Sequence, residues 1–336
     1  MNRRSFQQLL SIGMFSALGS LQQHKSTLVK PAKLRPGDKV GLIAPGSSIP
    51  EERIIKASQT TEMLELVPVL GDFVYESNGY LAGTDEQRLQ DLHRMFSDKD
   101  IKAVWCIRGG YGCTRLLPLI DYKIIKQNPK IFIGYSDITA LHLAMQKECG
   151  LVTYHGPVAS SQPTSYSIEA LKKMIFEGHP HDIMPAPITD EAGTEIYTIR
   201  EGQAEGKLTG GNLSLLAALV GTRWCPSYAG KIVFIEDIGE KPYRIDRMLV
   251  QLLQSTDLAK AAGVILGQFN DCEGKPGDKT MTLRETLYHQ FKNLNMPVFY
   301  GFSFGHIDDN CTLPLGIPIR FDTREKKLTT LEKSTS

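Results

Sequence analysis

The sequence predicts an α/β protein: a mostly parallel N-terminal sheet flanked by helices, then a smaller C-terminal α/β domain with a β-rich end. Three observations lead there. Short apolar runs of strand length alternate with segments of helical period, the order that builds parallel sheets covered by helices. Glycines or small polar residues follow several of the apolar runs, where a strand turns into a helix. At 336 residues and 41% hydrophobic content the chain can bury two cores, and its texture changes near the middle.

In chain order, residues 40–44 read as a buried strand ending at Pro45-Gly46-Ser47-Ser48, a strand-to-helix junction. Thr84-Asp85-Glu86-Gln87 has the pattern of a capping box, and Leu89, Leu92, Met95 and Phe96 continue it at helical spacing. Residues 103–107 read as a strand, followed by a glycine-rich turn and a short helix around Leu116 and Leu117. Strand 131–135 then meets Ser136-Asp137 and a helix carrying Ile138, Leu141, Leu143 and Met145. Between 179 and 205, Pro180, Pro185, Pro187 and scattered acids break any periodicity, and this segment reads as a linker. Strand 231–235, helix 243–254, strand 264–266, helix 283–294 and strand 298–300 make up the second unit. The expected domains are therefore 34–178 and 206–325.

The N-terminus departs from this pattern. Asn2-Arg3-Arg4-Ser5-Phe6 leads into a mildly apolar stretch and then Gly19 and Ser20, which is the layout of a twin-arginine export signal over 1–25. Such a segment is too short for a permanent membrane span, so the expectation is an exported, periplasmic protein, or a cytoplasmic one if this is not a signal. The 38 basic and 37 acidic residues are intermixed, which argues against a polyanionic partner such as nucleic acid. The six cysteines show no C-x-x-C spacing and read mostly as small buried apolar residues.

Four segments carry candidate chemistry. In Gly134-Tyr135-Ser136-Asp137 a serine sits between a strand and a helix, where a tight turn projects the side chain and a helix N-terminus offers free N–H groups. A plain helix N-cap has the same appearance, and Asp137 sets the turn apart from the G-x-S-x-G elbow. Arg108-Gly109-Gly110-Tyr111-Gly112 also follows a strand, and its glycines allow backbone N–H groups to approach a ligand; half of an oxyanion hole is a better use of them than phosphate binding, whose motifs are absent, and a glycine-rich turn kept for tight packing has the same appearance. Glu236, Asp237 and Glu240 stand at the end of an apolar strand, and His306 follows Gly305 on another. Serine, histidine and carboxylate at strand ends suit a nucleophile, its base and an orienting acid. His155, His179 and His181 compete with His306, and His179-Pro180-His181-Asp182 also suits a metal fragment; no metal is expected.

Together with Ile43-Ala44-Pro45-Gly46, Gly206-Lys207-Leu208-Thr209-Gly210-Gly211-Asn212-Leu213, Tyr243-Arg244-Ile245-Asp246-Arg247 and Thr312-Leu313-Pro314, these segments make the chain resemble the LD-carboxypeptidase family over roughly residues 40–321. That family includes murein tetrapeptide carboxypeptidases and microcin immunity peptidases. The resemblance implies Ser136 as nucleophile, Glu236 as triad acid and His306 as base, with an oxyanion hole from the backbone N–H groups of Asp137 and Gly110. It implies no cofactor, a homodimer, and a muropeptide or other peptide ending in a D-amino acid as substrate, with D-alanine released. Arg108 and Asn212 are candidates for binding the terminal carboxylate and a diamino acid side chain, with a structural ion pair an equal reading of Arg108. The alternatives are a microcin-immunity-type peptidase acting on peptidyl adenylate analogues and a non-catalytic muropeptide-binding protein.

Overall fold

The computed structural model describes residues 28–162, 164–186, 195–275 and 277–336; the segment read as an export signal, 1–25, lies outside them. The first sheet contains β1 (Lys39–Ile43), β2 (Val67–Leu70), β3 (Ile101–Cys106), β4 (Ile131–Gly134) and β5 (Thr153–His155) in the parallel order β5-β4-β3-β1-β2. These strands are nearly continuous apolar runs because helices cover both faces, so β4 is buried at every position. Around it lie α1 (Glu51–Met63), α2 (Asp85–Ser97), α3 (Cys113–Leu116), α4 (Tyr122–Gln127), α5 (Thr139–Cys149) and α6 (Ser165–Lys172). The capping box read at the start of α2 is formed: Gln87 N donates to Thr84 Oγ1 at 3.2 Å, and Thr84 N donates to Gln87 Oε1 at 2.8 Å.

The second sheet has eight strands among the described residues. In chain order they begin with β6 (Asp182–Ile183), β7 (Tyr197–Arg200), β8 (Gln203–Asn212), β9 (Ile232–Ile238), β10 (Gly263–Asn270) and β11 (Val298–Tyr300). The parallel centre β8-β9-β10-β11 is crossed by α7 (Leu213–Ala218), α8 (Pro242–Ser255) and α9 (Leu283–Phe291). The described parts of the 179–205 segment thus contain strands of this sheet, since β6 and β7 lie within it and β8 begins there. β12 (Leu313–Leu315) returns to the first sheet and pairs antiparallel with β5, while β13 (Pro318–Asp322) and β14 (Lys327–Thr330) form the antiparallel, β-rich end of the second.

One apolar cluster runs through both sheets. The contact that positions the site is made by α5, which packs against β8 and α7. Gly211 makes that approach possible: its φ is +141°, and an added Cβ would lie 2.4 Å from Thr139 Cγ2 at the start of α5. Thr139 Oγ1 accepts from Asn212 N at 3.0 Å and locks the two elements together. Five of the six cysteines are buried and all six are free thiols. No helix of the described residues is long and apolar enough to cross a membrane.

Candidate active site

Ser136 stands at the corner between β4 and a short 3-10 turn, Ser136–Ile138, that leads into α5. Its φ is +65°, a left-handed conformation that costs a residue with a Cβ on the order of 1–2 kcal/mol. Ser136 Oγ lies 3.0 Å from His306 Nε2, and His306 Nδ1 lies 2.8 Å from Glu236 Oε2. With Nδ1–H donated to the carboxylate, Nε2 is left as the acceptor for the serine hydroxyl. Glu236 is fully buried in β9, whereas the His306 side chain is 14% exposed. Residues 170 and 70 positions apart in the chain are thereby joined in one hydrogen-bonded row.

The neighbouring carboxylates have other partners. Asp237 points away from His306, as alternation along a strand requires, and accepts from Asn212 Nδ2, Ser214 N and Ser214 Oγ at 2.9, 3.0 and 2.8 Å. Burial, with the charge of Glu236 adding to it, pushes the Asp237 carboxyl up to about 6. Glu240 pairs with Arg244.

Two loops and a buried arginine hold the serine corner. The glycine loop runs against it so closely that a Cβ at Gly109 would lie 3.1 Å from Asp137 N and 3.2 Å from Ser136 Cβ. Ser47 fastens that loop from the other side, since Ser47 N donates to Gly109 O and Tyr111 N donates to Ser47 Oγ, both at 3.0 Å. Gly110 lies between these two anchors. The Asp137 carboxylate accepts from Cys113 N at 2.8 Å, and its burial raises its pKa. Its backbone N–H belongs to the first turn behind Ser136, where no helical acceptor exists. Arg88, fully buried on α2, donates to Pro45 O and Gly112 O and pairs with Asp85.

Among the other histidines, His155 is buried among Tyr135, Phe234 and Phe304, and burial holds it neutral, with the nearby His142 and His306 adding to the effect. His142 bonds Gly134 O through Nε2 and is lowered by burial to about 4. His181 lines a separate pocket beside Tyr166 and Lys173. Among the described residues there is no group of three or more His, Cys, Asp or Glu side chains arranged to hold a metal.

His306 opens onto a cleft of about 520 Å³ that also has Tyr135, Arg53, Lys56, Gln162 and Asp308 in its wall. Neither Arg108 nor Asn212 lines it. Arg108 donates to Ser48 O at 2.9 Å, tying its own loop to the 45–48 turn. Asn212, 3% exposed, caps α7 by accepting from Leu215 N and donates to Asp237. Both side chains, expected from sequence to touch substrate, are bonded to the scaffold. Two residues that sequence reading passed over, Arg53 and Arg88, hold more telling positions. Arg88 did carry a signal: a charged residue in register with Leu92, Met95 and Phe96 lies on the apolar face of its helix.

Two family models cover most of the chain: the LD-carboxypeptidase N-terminal domain matches residues 40–156 and the LD-carboxypeptidase C-terminal domain matches 205–321. A probable murein peptide carboxypeptidase of Bacillus subtilis is 39% identical over 297 residues, 88% of this chain and 92% of its own. The murein tetrapeptide carboxypeptidase of Pseudomonas aeruginosa is 36% identical over 283 residues, 83% of this chain and 91% of its own. In structure, the microcin C7 self immunity protein MccF, solved with glutamyl sulfamoyl guanosine, superposes with a TM-score of 0.83 at 26% identity, over 91% of this chain and 99% of that one. A muramoyltetrapeptide carboxypeptidase from Oxalobacter formigenes reaches 0.75 at 30% identity, covering 87% and 97%. The chain belongs to the LD-carboxypeptidase family and is a carboxypeptidase of the serine type.

Proposed function

We propose that this enzyme releases the C-terminal D-alanine from muropeptide tetrapeptides, with Ser136 as nucleophile, His306 as general base and Glu236 as the acid that orients the histidine. One observation carries the assignment: the row from Ser136 Oγ through His306 to Glu236, at 3.0 and 2.8 Å, on a strained strand-to-helix corner. The relatives named for murein peptides support the substrate.

In this reading Ser136 Oγ attacks the carbonyl carbon of the last peptide bond while its proton passes to His306 Nε2. Negative charge gathers on the carbonyl oxygen, which accepts hydrogen bonds from the backbone N–H groups of Gly110 and Asp137. His306 then gives its proton to the leaving nitrogen, the C–N bond breaks, and the D-amino acid departs as a free amine. Water attacks the acyl-serine with His306 again taking a proton, and Ser136 is regenerated. Glu236, fully buried, stabilises the imidazolium at each stage. Residues 1–25 export the enzyme to the periplasm, where it meets this substrate, and it works as a homodimer.

Purified protein is incubated with a synthetic muropeptide tetrapeptide and released D-alanine is measured, alongside an aminoacyl sulfamoyl nucleoside as the rival substrate. The expected result is D-alanine release that survives EDTA. Faster cleavage of the nucleoside analogue would favour the microcin-immunity type, and loss with EDTA restored by zinc would remove the triad mechanism.

A further inference from the structure

A serine triad by itself hydrolyses any amide that reaches it, so a carboxypeptidase needs a separate feature that reads the free chain end. The position of that feature follows from the proposed mechanism. His306 Nε2 must deliver a proton to the leaving nitrogen, and the terminal carboxylate of the leaving residue is only two bonds from that nitrogen. The carboxylate is therefore held in the cleft onto which His306 opens, on the side of the leaving group.

Two cations line that cleft, Arg53 and Lys56, one turn apart on α1. They are not equivalent. Lys56 Nζ is engaged by Gln162 Oε1 at 2.6 Å. Arg53 is exposed, and its guanidinium has neither an ion pair nor a side-chain hydrogen bond among the described residues. Glu52 and Asp308 also line the cleft, yet neither pairs with it. Its charge is felt at Tyr135, where it opposes the rise that burial imposes on the phenol. The Tyr135 ring in turn lies 4.8 Å from the His306 ring. A planar, permanently charged fork with unused donors in the cleft that His306 faces is the geometry that suits a carboxylate.

We infer that Arg53 binds the free C-terminal carboxylate of the substrate and makes this enzyme a carboxypeptidase; the inference rests on the hydrolytic reading of the preceding section. The tests are kcat/KM measurements on one tetrapeptide in two forms, free acid and C-terminal carboxamide, with wild type, Arg53→Gln, Arg53→Lys and Lys56→Gln. Wild type is expected to prefer the acid. Arg53→Gln is expected to cut the acid-over-amide ratio about ten- to hundred-fold, the worth of a charge-assisted hydrogen bond, mainly through KM. Arg53→Lys should recover part of it, since charge remains but the fork is lost. An unchanged ratio in Arg53→Gln, or collapse of the ratio in Lys56→Gln instead, would overturn the inference while leaving the triad in place. A wild type that releases nothing from either peptide would overturn the preceding reading, and this inference with it. Arg53 is exposed, so thermal melting of the variants should match wild type.

Discussion

The two halves of the active site are built differently. The serine corner is held from several directions: Asp137 bonds Cys113 N, Ser47 clasps the glycine loop at Gly109 and Tyr111, and buried Arg88 ties Pro45 to Gly112. The arm that brings His306 and Glu236, the proposed base and acid, has one bond per step. His306 meets Glu236 through Nδ1 alone, Glu236 Oε1 has no partner among the described residues, and His306 faces the open cleft. A nucleophile with a strained backbone has to be fixed by its surroundings, because φ +65° persists only where neighbours over-determine it. A base that takes and returns protons needs a single carboxylate to set its tautomer and room to meet the leaving group. Damage to the braces of the first half should therefore appear in folding, and loss of Ser136 itself or damage to the second half in turnover.

The largest effect expected is from Ser136→Ala, which leaves the corner's braces intact and removes the proposed attacking atom. Hydrolysis should fall on the order of a thousand-fold or more with an unchanged melting temperature. Activity within about ten-fold of wild type in well-folded protein would falsify the nucleophile. Next comes the contrast between the adjacent carboxylates. Glu236→Gln keeps the shape but removes the charge that holds the imidazolium, so kcat should drop at least about hundred-fold with little change in KM. Asp237→Asn touches only Asn212, Ser214 and the backbone N–H of Ile238, and should spare most of the rate. If Asp237→Asn proves the more harmful to kcat, the division between the two sides of β9 is wrong.

Much of this was legible in the sequence, for physical reasons that differ by element. Buried parallel strands such as 131–134 are apolar without interruption, and the Thr84 and Gln87 cap is a local pattern, so both are visible in short windows. β12 is different: three residues, Leu313–Leu315, have no periodicity, and their place beside β5 is set by tertiary pairing alone. β8 was hidden for another reason, since Gly206, Gly210 and Gly211 oppose strand propensity and are tolerated because neighbouring backbone and Thr139 pack where side chains would be. The site divides in the same way. Ser136, Glu236 and His306 stand at strand ends that a pattern reveals, while their union depends on contacts across 170 and 70 residues, and the resemblance to a family singled out that set. Arg108 and Asn212 are candidates because a terminal carboxylate and a diamino acid side chain call for positive and polar groups; the scaffold partners the structure gives them, Ser48 and Asp237, are 60 and 25 residues away and invisible to a local pattern.

The brace around the serine can be weighed through Arg88. Replacement by Met keeps most of the volume and removes the donors to Pro45 O and Gly112 O, leaving both carbonyls short of a partner, while Asp85 keeps Arg115. Each buried carbonyl left without its donor typically costs about 1–3 kcal/mol. A matching fall in the urea midpoint is expected, with Arg88→Lys in between. Activity per folded molecule should fall far less than in Glu236→Gln. A variant with full stability but no turnover would show that Arg88 acts on the chemistry and not on the frame.

The smallest effect expected comes from Asp237, whose carboxyl is pushed up to about 6 by burial and by the neighbouring charge of Glu236. An unfolded aspartate titrates near 3.9, so between about pH 4 and 6 the folded protein holds a proton that the unfolded chain has lost. More protons bound to the native state means that stability falls as pH rises. The contribution is present in full below the unfolded value and is lost as pH climbs through the folded one, the reverse of a carboxylate stabilised by a cation. Wild type should thus lose on the order of 2–3 kcal/mol from this residue between pH 4 and pH 7, set against whatever other groups contribute. Asp237→Asn cannot titrate and should flatten that part of the profile, so its stability relative to wild type should improve as pH rises. Urea unfolding of both proteins at half-unit steps measures the difference directly. A difference that stays constant with pH would mean that the hydrogen bonds from Asn212 and Ser214 hold Asp237 ionised throughout, and that the two sides of β9 carry like charges at the same time.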